Sequence, residues 1–505
     1  MNQITHIISS FSQEEQQKFE LYLARRNKRR DTKNIQLFKL LKQQESSTAL
    51  ICNTLYGKQN RAALYTLKQR LHESLIDFIA MNKIQGENSI DMLLIKYIMV
   101  ARDFLFQQNY GEAYKLLNKA ELLARDYELF SILNEIYHTK IQYAHLHPKT
   151  DLNKTIKEFK SNQKNYFLEE ELNIIYAKIR NNLILIPNDK GSISNFESFI
   201  NSIFKEHHIN IDDSLSFKSL YQLISIVNIS AFIHKNYLKV EPFLIKTYGI
   251  ITSKKGKEKQ LFYHIRVLYL IANTLFRNKK FEESLNYLKY MLVLMNDNNK
   301  KYFKLFYLNY LLLFALNKNY RNEQNEAISL LEDAILKKHV DQKSLLEIQL
   351  SLLMFYFQSN QFGKAIKLLH KLNHSDKWYI DKVGIEWVIK KNLFEILLHL
   401  ELENLNLFES RLLSFKRKYY TYIKKINQER VIEYLKLVEQ YYKDPSIITT
   451  TQFNDLVESS FEFVGAQQED IFVMSFYAWL KSKMEQSPIF EVTLELVKKA
   501  QGKSK

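Results

Sequence analysis

Apolar positions recur with helical spacing through most of this 505-residue chain, and short polar runs interrupt them at regular distances. In LYLIANTLFRNKKFEESLNYLKYMLVL (268–294) one apolar segment stops at a polar turn, and a second opens at the aromatic Phe281. Ala272 is the small residue of the first segment and Ser284 that of the second. The same arrangement returns in LLMFYFQSNQFGKAIKLLHKL (352–372), with Phe362 and Ala365, and in ARDFLFQQNYGEAYKLLNKAELLA (101–124), with Ala101, Tyr110 and Ala113. Each stretch predicts a pair of helices. The aromatic or large residue expected to open the second helix can be followed through Tyr110, Leu152, Phe196, Tyr237, Phe281, Tyr320, Phe362, Phe408 and Phe453, in steps of 39 to 46 residues. A single pair cannot bury its apolar face alone, whereas stacked pairs share one continuous core.

Residues 1–85 lack this repeat. Ser12 followed by Glu15 predicts a capping box, with Phe11 placed as a hydrophobic staple, and a helix running to about Arg26. Further helices are predicted over about 34–43, 48–56 and 60–83. At the other end, QEDIFVMSFYAWLKSKM (468–484) is apolar on nearly all sides, as a buried closing helix would be, and residues 468–505 are read as capping helices with a basic tail. The division expected is a basic helical module at 1–85, a repeat array at 88–467 and this cap.

The paired segments resemble tetratricopeptide repeats: small residues where the helices cross, and an aromatic filling the gap between them. Their period is longer than the usual 34 residues, as in long-helix variants. The resemblance implies an all-α, right-handed α-solenoid of helix hairpins preceded by a small helical module. It also implies an inner face that holds an extended peptide. Aligned to the family, the unit around Phe281 places Arg266, Tyr269, Asn273, Phe276 and Arg277 on that face as a candidate peptide-binding groove.

Composition agrees with an all-helical reading, since Gly and Pro number only 10 and 5 and few tight turns are expected from so few. Net charge is +17, which suits an anionic partner of some kind. Residues 1–85 hold 14 Lys/Arg against 7 Asp/Glu. In LARRNKRRDTKN (23–34) the basic residues Arg25, Arg26, Lys28, Arg29, Arg30 and Lys33 are a candidate polyanion surface, weighed against a solvated connector between helices. Within the same module, LFKLLKQQESSTALICNTLYGKQNRAALYTLKQRLHESL (37–75) resembles a winged helix-turn-helix. That likeness places Leu55, Tyr56 and Gly57 at the turn, and Arg61, Ala62, Leu67, Arg70 and Leu71 on the helix entering the groove. Arg61, Lys68 and Arg70 would then meet phosphates or bases. The IDFIAMNKIQ that follows reads as helix where a β-hairpin wing would stand.

No phosphate-cradling glycine motif or HExxH occurs, and no catalytic constellation, cofactor site or metal site is expected. The pairs His370/His374, His145/His147 and His207/His208 each lack a third ligand nearby, and Cys52 reads as a small buried residue. FKRKYYTYIKK (415–425) interleaves lysines with tyrosines, a pattern that suits stacking on nucleic acid but more often marks a core-facing stripe. The longest apolar run, LFYLNYLLLFAL (305–316), is too short to span a bilayer, and the single cysteine fits a reducing compartment. The expectation is a non-enzymatic cytoplasmic scaffold or adaptor for a protein or peptide. The alternative is a DNA-binding regulator whose residues 1–85 touch nucleic acid while the array senses a partner.

Overall fold

The computed structural model describes residues 3–11, 13–26, 33–42, 47–86, 90–185, 205, 215–234, 237–254, 257–337, 339, 341–426, 428–461 and 471–502. The described residues are all-helical, without strands. They fall into two compact units, Met1–Asn162 and Gln163–Lys505.

Unit 1 begins with α1 (Gln3–Ser10), α2 (Gln13–Arg26), α3 (Lys33–Lys42), α4 (Thr48–Tyr56) and α5 (Arg61–Gly86). The sequence reading places α2 to α5 within a few residues of these bounds, and α1 is an element it lacks. Ser12 of the expected capping box lies outside the described residues. These helices enclose an aromatic centre in which Phe19 meets Phe38 at 5.0 Å and Phe78 at 5.1 Å, both edge to face. Cys52 is buried in the same cluster. The unit continues with α6 (Ile90–Phe106), α7 (Tyr110–Asp126), α8 (Phe130–Gln142) and the start of α9 (Leu152–Leu185), within which the division between units falls. A polar knot ties α7, α8 and α9: Glu121 pairs with Lys140 and with Arg125, and Arg125 also reaches Glu158 at 2.9 Å.

Unit 2 contains α10 (Phe217–His234), α11 (Tyr237–Ser253), α12 (Leu261–Arg277), α13 (Phe281–Lys300), α14 (Phe303–Tyr320), α15 (Gln324–Leu336), α16 (Gln342–Gln358), α17 (Phe362–Lys371), the short α18 (Asp376–Val383), α19 (Ile385–Glu401), α20 (Leu405–Lys425), α21 (Arg430–Lys443), α22 (Thr451–Phe461), α23 (Ile471–Glu485) and α24 (Ile489–Ala500). Consecutive helices pack on one another, and α10/α11, α12/α13, α14/α15, α16/α17 and α19/α20 form pairs.

Glycine scarcity does not prevent tight turns, contrary to the expectation from composition. The turns 107–109, 127–129, 278–280, 321–323, 359–361 and 402–404 are each three residues long. Each places a non-glycine residue in the left-handed region: Gln108, Glu128, Lys279, Asn322, Asn360 and Glu403, with φ between 52° and 68°. Two recurring hydrogen bonds hold the shape. In the turn after α12, Lys279 N donates to Phe276 O at 2.9 Å and Lys280 N to Leu275 O at 2.8 Å. The bonds Asn360 N to Phe357 O and Gln361 N to Tyr356 O repeat this after α16. Such a pattern satisfies carbonyls that the helix end leaves open, and it does so at the cost of left-handed strain.

The first helices of successive pairs lie parallel, meeting start to start and end to end. Phe262 and Phe306 are 5.6 Å apart near the starts of α12 and α14, while Phe276 and Tyr320 are 6.2 Å apart at their ends. Ser344 Oγ donates to Asn309 Oδ1 at 3.2 Å, and Asn319 Nδ2 donates to Gln358 Oε1 at 3.0 Å, joining α14 to α16 in the same sense. Trp387 Nε1 donates to Leu346 O, and Phe394 packs on Phe357, joining α16 to α19.

Among the period markers, Tyr110, Leu152, Tyr237, Phe281 and Phe362 open second or later helices as expected, and Phe408 and Phe453 lie in the first turn of theirs. Tyr320 does not. It ends α14, where its ring stacks on Phe281 at 5.9 Å, so it fills the intended gap from the other helix. Leu152 opens a helix but is 42% exposed and plugs nothing. Phe196 lies outside the described residues.

Candidate functional site

The helix α12 carries the groove residues expected from the repeat. Arg266, Tyr269, Asn273 and Arg277 stand at spacings of three and four, so they share one stripe, and all four keep partial solvent contact. Phe276 does not join them. It is 3% exposed: although it lies close to Tyr269 around the helix axis, it stands in the last turn of α12, where Phe281 and Tyr320 cover it. Arg266 Nε donates to Tyr221 Oη of α10 at 3.4 Å, and the Arg277 guanidinium lies 6.0 Å over the ring of Tyr237 at the start of α11.

The parallel stacking adds residues the sequence reading missed. Glu347 and Lys343 of α16 and Lys390 of α19 act electrostatically on the same surface. Loss of hydration pushes the Glu347 carboxyl above the ordinary range, against the pull of Lys390, Lys343 and Arg277. Loss of hydration likewise raises the Tyr269 hydroxyl, opposed by Arg277 and Arg266. One poorly hydrated carboxylate therefore faces several cations. A surface of this kind favours an arriving anion, because the cations outnumber the acid where water screens least. Lys390 also lies 4.6 Å over the ring of Phe472 in α23. No signal local to α12 could have supplied Lys343, Glu347 or Lys390, which are brought there by tertiary packing alone.

In unit 1 the structure forms the expected helix, turn and helix. Ser47 caps α4, Gly57 follows it with φ 67°, and Arg61 is the first residue of α5. Arg61 and Arg70 are exposed and Lys68 is half-buried. Leu55, Leu71 and Cys52 face the core, as does most of Leu67. From Ser47 to His72 the chain has no acidic residue, and Lys58 adds to the cations of the turn. In the basic connector, Arg25 is exposed at the end of α2. Lys33 is exposed at the start of α3, its Nζ 4.2 Å over the Tyr56 ring. The side chain of Arg26, and Lys28, Arg29 and Arg30 altogether, lie outside the described residues.

The lysine and tyrosine stretch 415–425 on α20 is largely a core stripe. Phe415, Tyr419 and Ile423 are buried, Tyr419 Oη donates to Asp376 Oδ2 at 2.8 Å, and Lys416 and Lys418 are paired with Glu439 and Asp376. His374 stacks on Trp378 at 4.1 Å and His147 on Tyr114 at 4.2 Å. His207 and His208 lie outside the described residues. Among the described residues no group of three His, Cys, Asp or Glu side chains is close enough to hold a metal ion. Again among the described residues, no helix is long and apolar enough to cross a membrane. Compared with known proteins, the chain matches no family model, no curated protein and no solved structure.

Proposed function

We propose that the chain is a non-enzymatic interaction protein. In this reading unit 2 is a right-handed solenoid of helix pairs resembling tetratricopeptide repeats. The surface around Arg266, Tyr269, Asn273 and Arg277 receives an extended acidic peptide or protein segment. The observation that carries the reading is the Glu347 carboxyl, held above its usual range by poor hydration while Lys390, Lys343 and Arg277 act on it. An anionic side chain of a partner would engage these cations in a setting where charge is weakly screened. The test is affinity capture with the intact chain, compared with the same chain carrying Arg266→Glu and Lys343→Glu. A partner retained by the former and released by the latter supports the reading; equal retention removes it.

A second reading rests on unit 1. The acid-free surface of α4, its turn and the start of α5 fits a duplex DNA contact through Arg61, Lys68 and Arg70. Duplex affinity that falls steeply with salt, and falls again in an Arg61→Ala, Lys68→Ala, Arg70→Ala variant, is the expected result. Unchanged affinity in that variant removes it.

A further inference from the structure

Because α12, α14, α16 and α19 lie parallel, their starts share one edge of unit 2, together with the linkers that precede them. The contacts of Phe262 with Phe306, of Asn309 with Ser344 and of Leu346 with Trp387 fix this alignment. The two edges of the array differ sharply in how their cations are used. At the edge of the three-residue turns, cations are paired: Lys280 with Glu241 at 2.6 Å, Arg321 with Glu282 at 2.6 Å, and Lys364 with Glu332 at 3.2 Å. At the linker edge, Lys300, Lys304, Lys337, Lys371 and Lys377 are exposed, and they form no ion pair among the described residues.

Acids exist at the linker edge, but two are committed. Asp341 accepts from Ser344 N at 3.1 Å as a helix cap, and Asp376 accepts from Lys418 and Tyr419. Glu258, Asp297, Asp333, Asp381 and Glu386 are exposed there, and they are outnumbered by the five lysines together with the exposed Lys343 and Lys382. The starts of the first helices and the ends of the second helices α13, α15 and α17 meet at this edge, so their dipoles largely offset one another and the lysines set its potential. Half-exposed rings stand between the lysines. Phe303 stacks with Tyr307 at 5.1 Å, Phe262 meets Tyr302 at 5.6 Å, and Lys300 lies 5.9 Å over Phe303.

We propose that this linker edge is a docking surface for single-stranded nucleic acid. A row of unpaired cations, one or two in each of three successive linkers about 8–10 Å apart, follows a phosphate backbone. The rings among them offer faces on which unpaired bases stack, which neither a duplex nor an acidic peptide can use. Leu305 and Leu336 are exposed on neighbouring turns, so an anionic membrane is the rival occupant.

The test uses the full chain and fluorescence anisotropy with labelled 20-residue oligo(dT) and oligo(U). Both unstructured strands carry the shared chemistry, and the tighter of the two assigns DNA or RNA as the source. Five phosphate contacts predict roughly a hundredfold loss of affinity between 50 and 200 mM salt. A Lys300→Glu, Lys304→Glu, Lys337→Glu variant should bind at least about tenfold more weakly at 50 mM, whereas Lys280→Gln with Lys364→Gln should bind as the parent does. Circular dichroism confirms that the variants fold, and Lys337→Glu alone, placed in a linker, should give a smaller loss in the same direction. The proposal is overturned if neither oligonucleotide binds at 50 mM salt, or if the lysine variant binds them as tightly as the parent. It is also overturned if phosphatidylserine vesicles or polyglutamate displace the oligonucleotides from that edge at lower concentration than unlabelled oligonucleotide does.

Discussion

Gln501, one residue beyond the last helix, donates from Nε2 to the main-chain oxygen of Lys279 at 2.6 Å, across 222 positions of sequence. The bond ends a continuous attachment of α23 and α24 to the first helices. Ser475 meets Gln358, Phe476 packs on Phe394 at 4.6 Å, and Trp479 donates to Glu401 at 2.6 Å. These contacts advance along α19 and α23 in step, so α23 runs parallel to α19 and is built into the same core. Trp479→Ala should therefore cost about 3–5 kcal/mol, and Gln501→Ala about 1 kcal/mol. Urea midpoints of the full chain check both; a Trp479 variant as stable as the parent would show that the C-terminal pair is only loosely attached.

The left-handed turn residues predict gains. Glu403 and Gln108 are exposed, make no side-chain hydrogen bond shown in the structure, and carry φ of 55° and 62°. Glycine removes the clash that a Cβ meets in this region, so Glu403→Gly and Gln108→Gly should each stabilise by about 0.5–1 kcal/mol. Gly57→Ala, at φ 67°, should destabilise by a similar amount although a Cβ there has open space. Thermal unfolding of the three variants reads the signs directly.

His264 predicts an acid-sensitive term. It is 2% exposed, its Nε2 lies 3.2 Å from Tyr248 Oη, and the rings of Phe217, Tyr248 and Tyr290 surround it, with Lys257 and Glu258 as the charged neighbours. Burial, assisted by Lys257, lowers its pKa to about 4. The unfolded chain takes up this proton near pH 6.5 and the folded chain only near pH 4. The stability is thus fully present above pH 6.5 and is lost progressively as pH falls towards 4, on the order of 3 kcal/mol in all. A His264→Gln variant should show a shallower fall in urea midpoint over that range. Parallel pH curves for parent and variant would contradict the assignment.

A buried amide ladder crosses the array, with Asn319 donating to Gln358 and Gln358 donating to Ser475 at 2.9 Å. Gln358→Leu keeps the volume but removes the amide from both bonds, away from water. It should cost about 2–4 kcal/mol, more than its apolar gain returns. A denaturation midpoint equal to the parent's would mean that water replaces the amide.

Helix placement was legible because apolar spacing is a local property. The stretch around Phe281 shows α12, its turn and α13 in the sequence alone, and α4 and α5 fall almost where their caps and periodicity put them. Tyr320 was misassigned because residue type and interval cannot tell which helix of a pair supplies the ring that fills the gap. Phe276 was misassigned because a family alignment carries a position over without the rings, here Phe281 and Tyr320, that cover it at the end of the helix. The turns at Gln108 and Glu403 escaped notice because left-handed backbone was looked for at glycine, whereas here it is held by hydrogen bonds from the preceding helix. Of the candidate groove, Arg266, Tyr269, Asn273 and Arg277 were legible, while Lys343, Glu347 and Lys390 were not.

By itself the amino-acid order determined an all-helical chain, the pairing of its helices and the excess of positive charge, since each depends on neighbours within a few turns. Tertiary structure alone decided that successive first helices run parallel and that the C-terminal pair returns to Lys279. It also decided which lysines meet an acid and which do not. Those outcomes depend on contacts between residues some forty to two hundred positions apart, and no local pattern encodes which distant side chain will stand opposite.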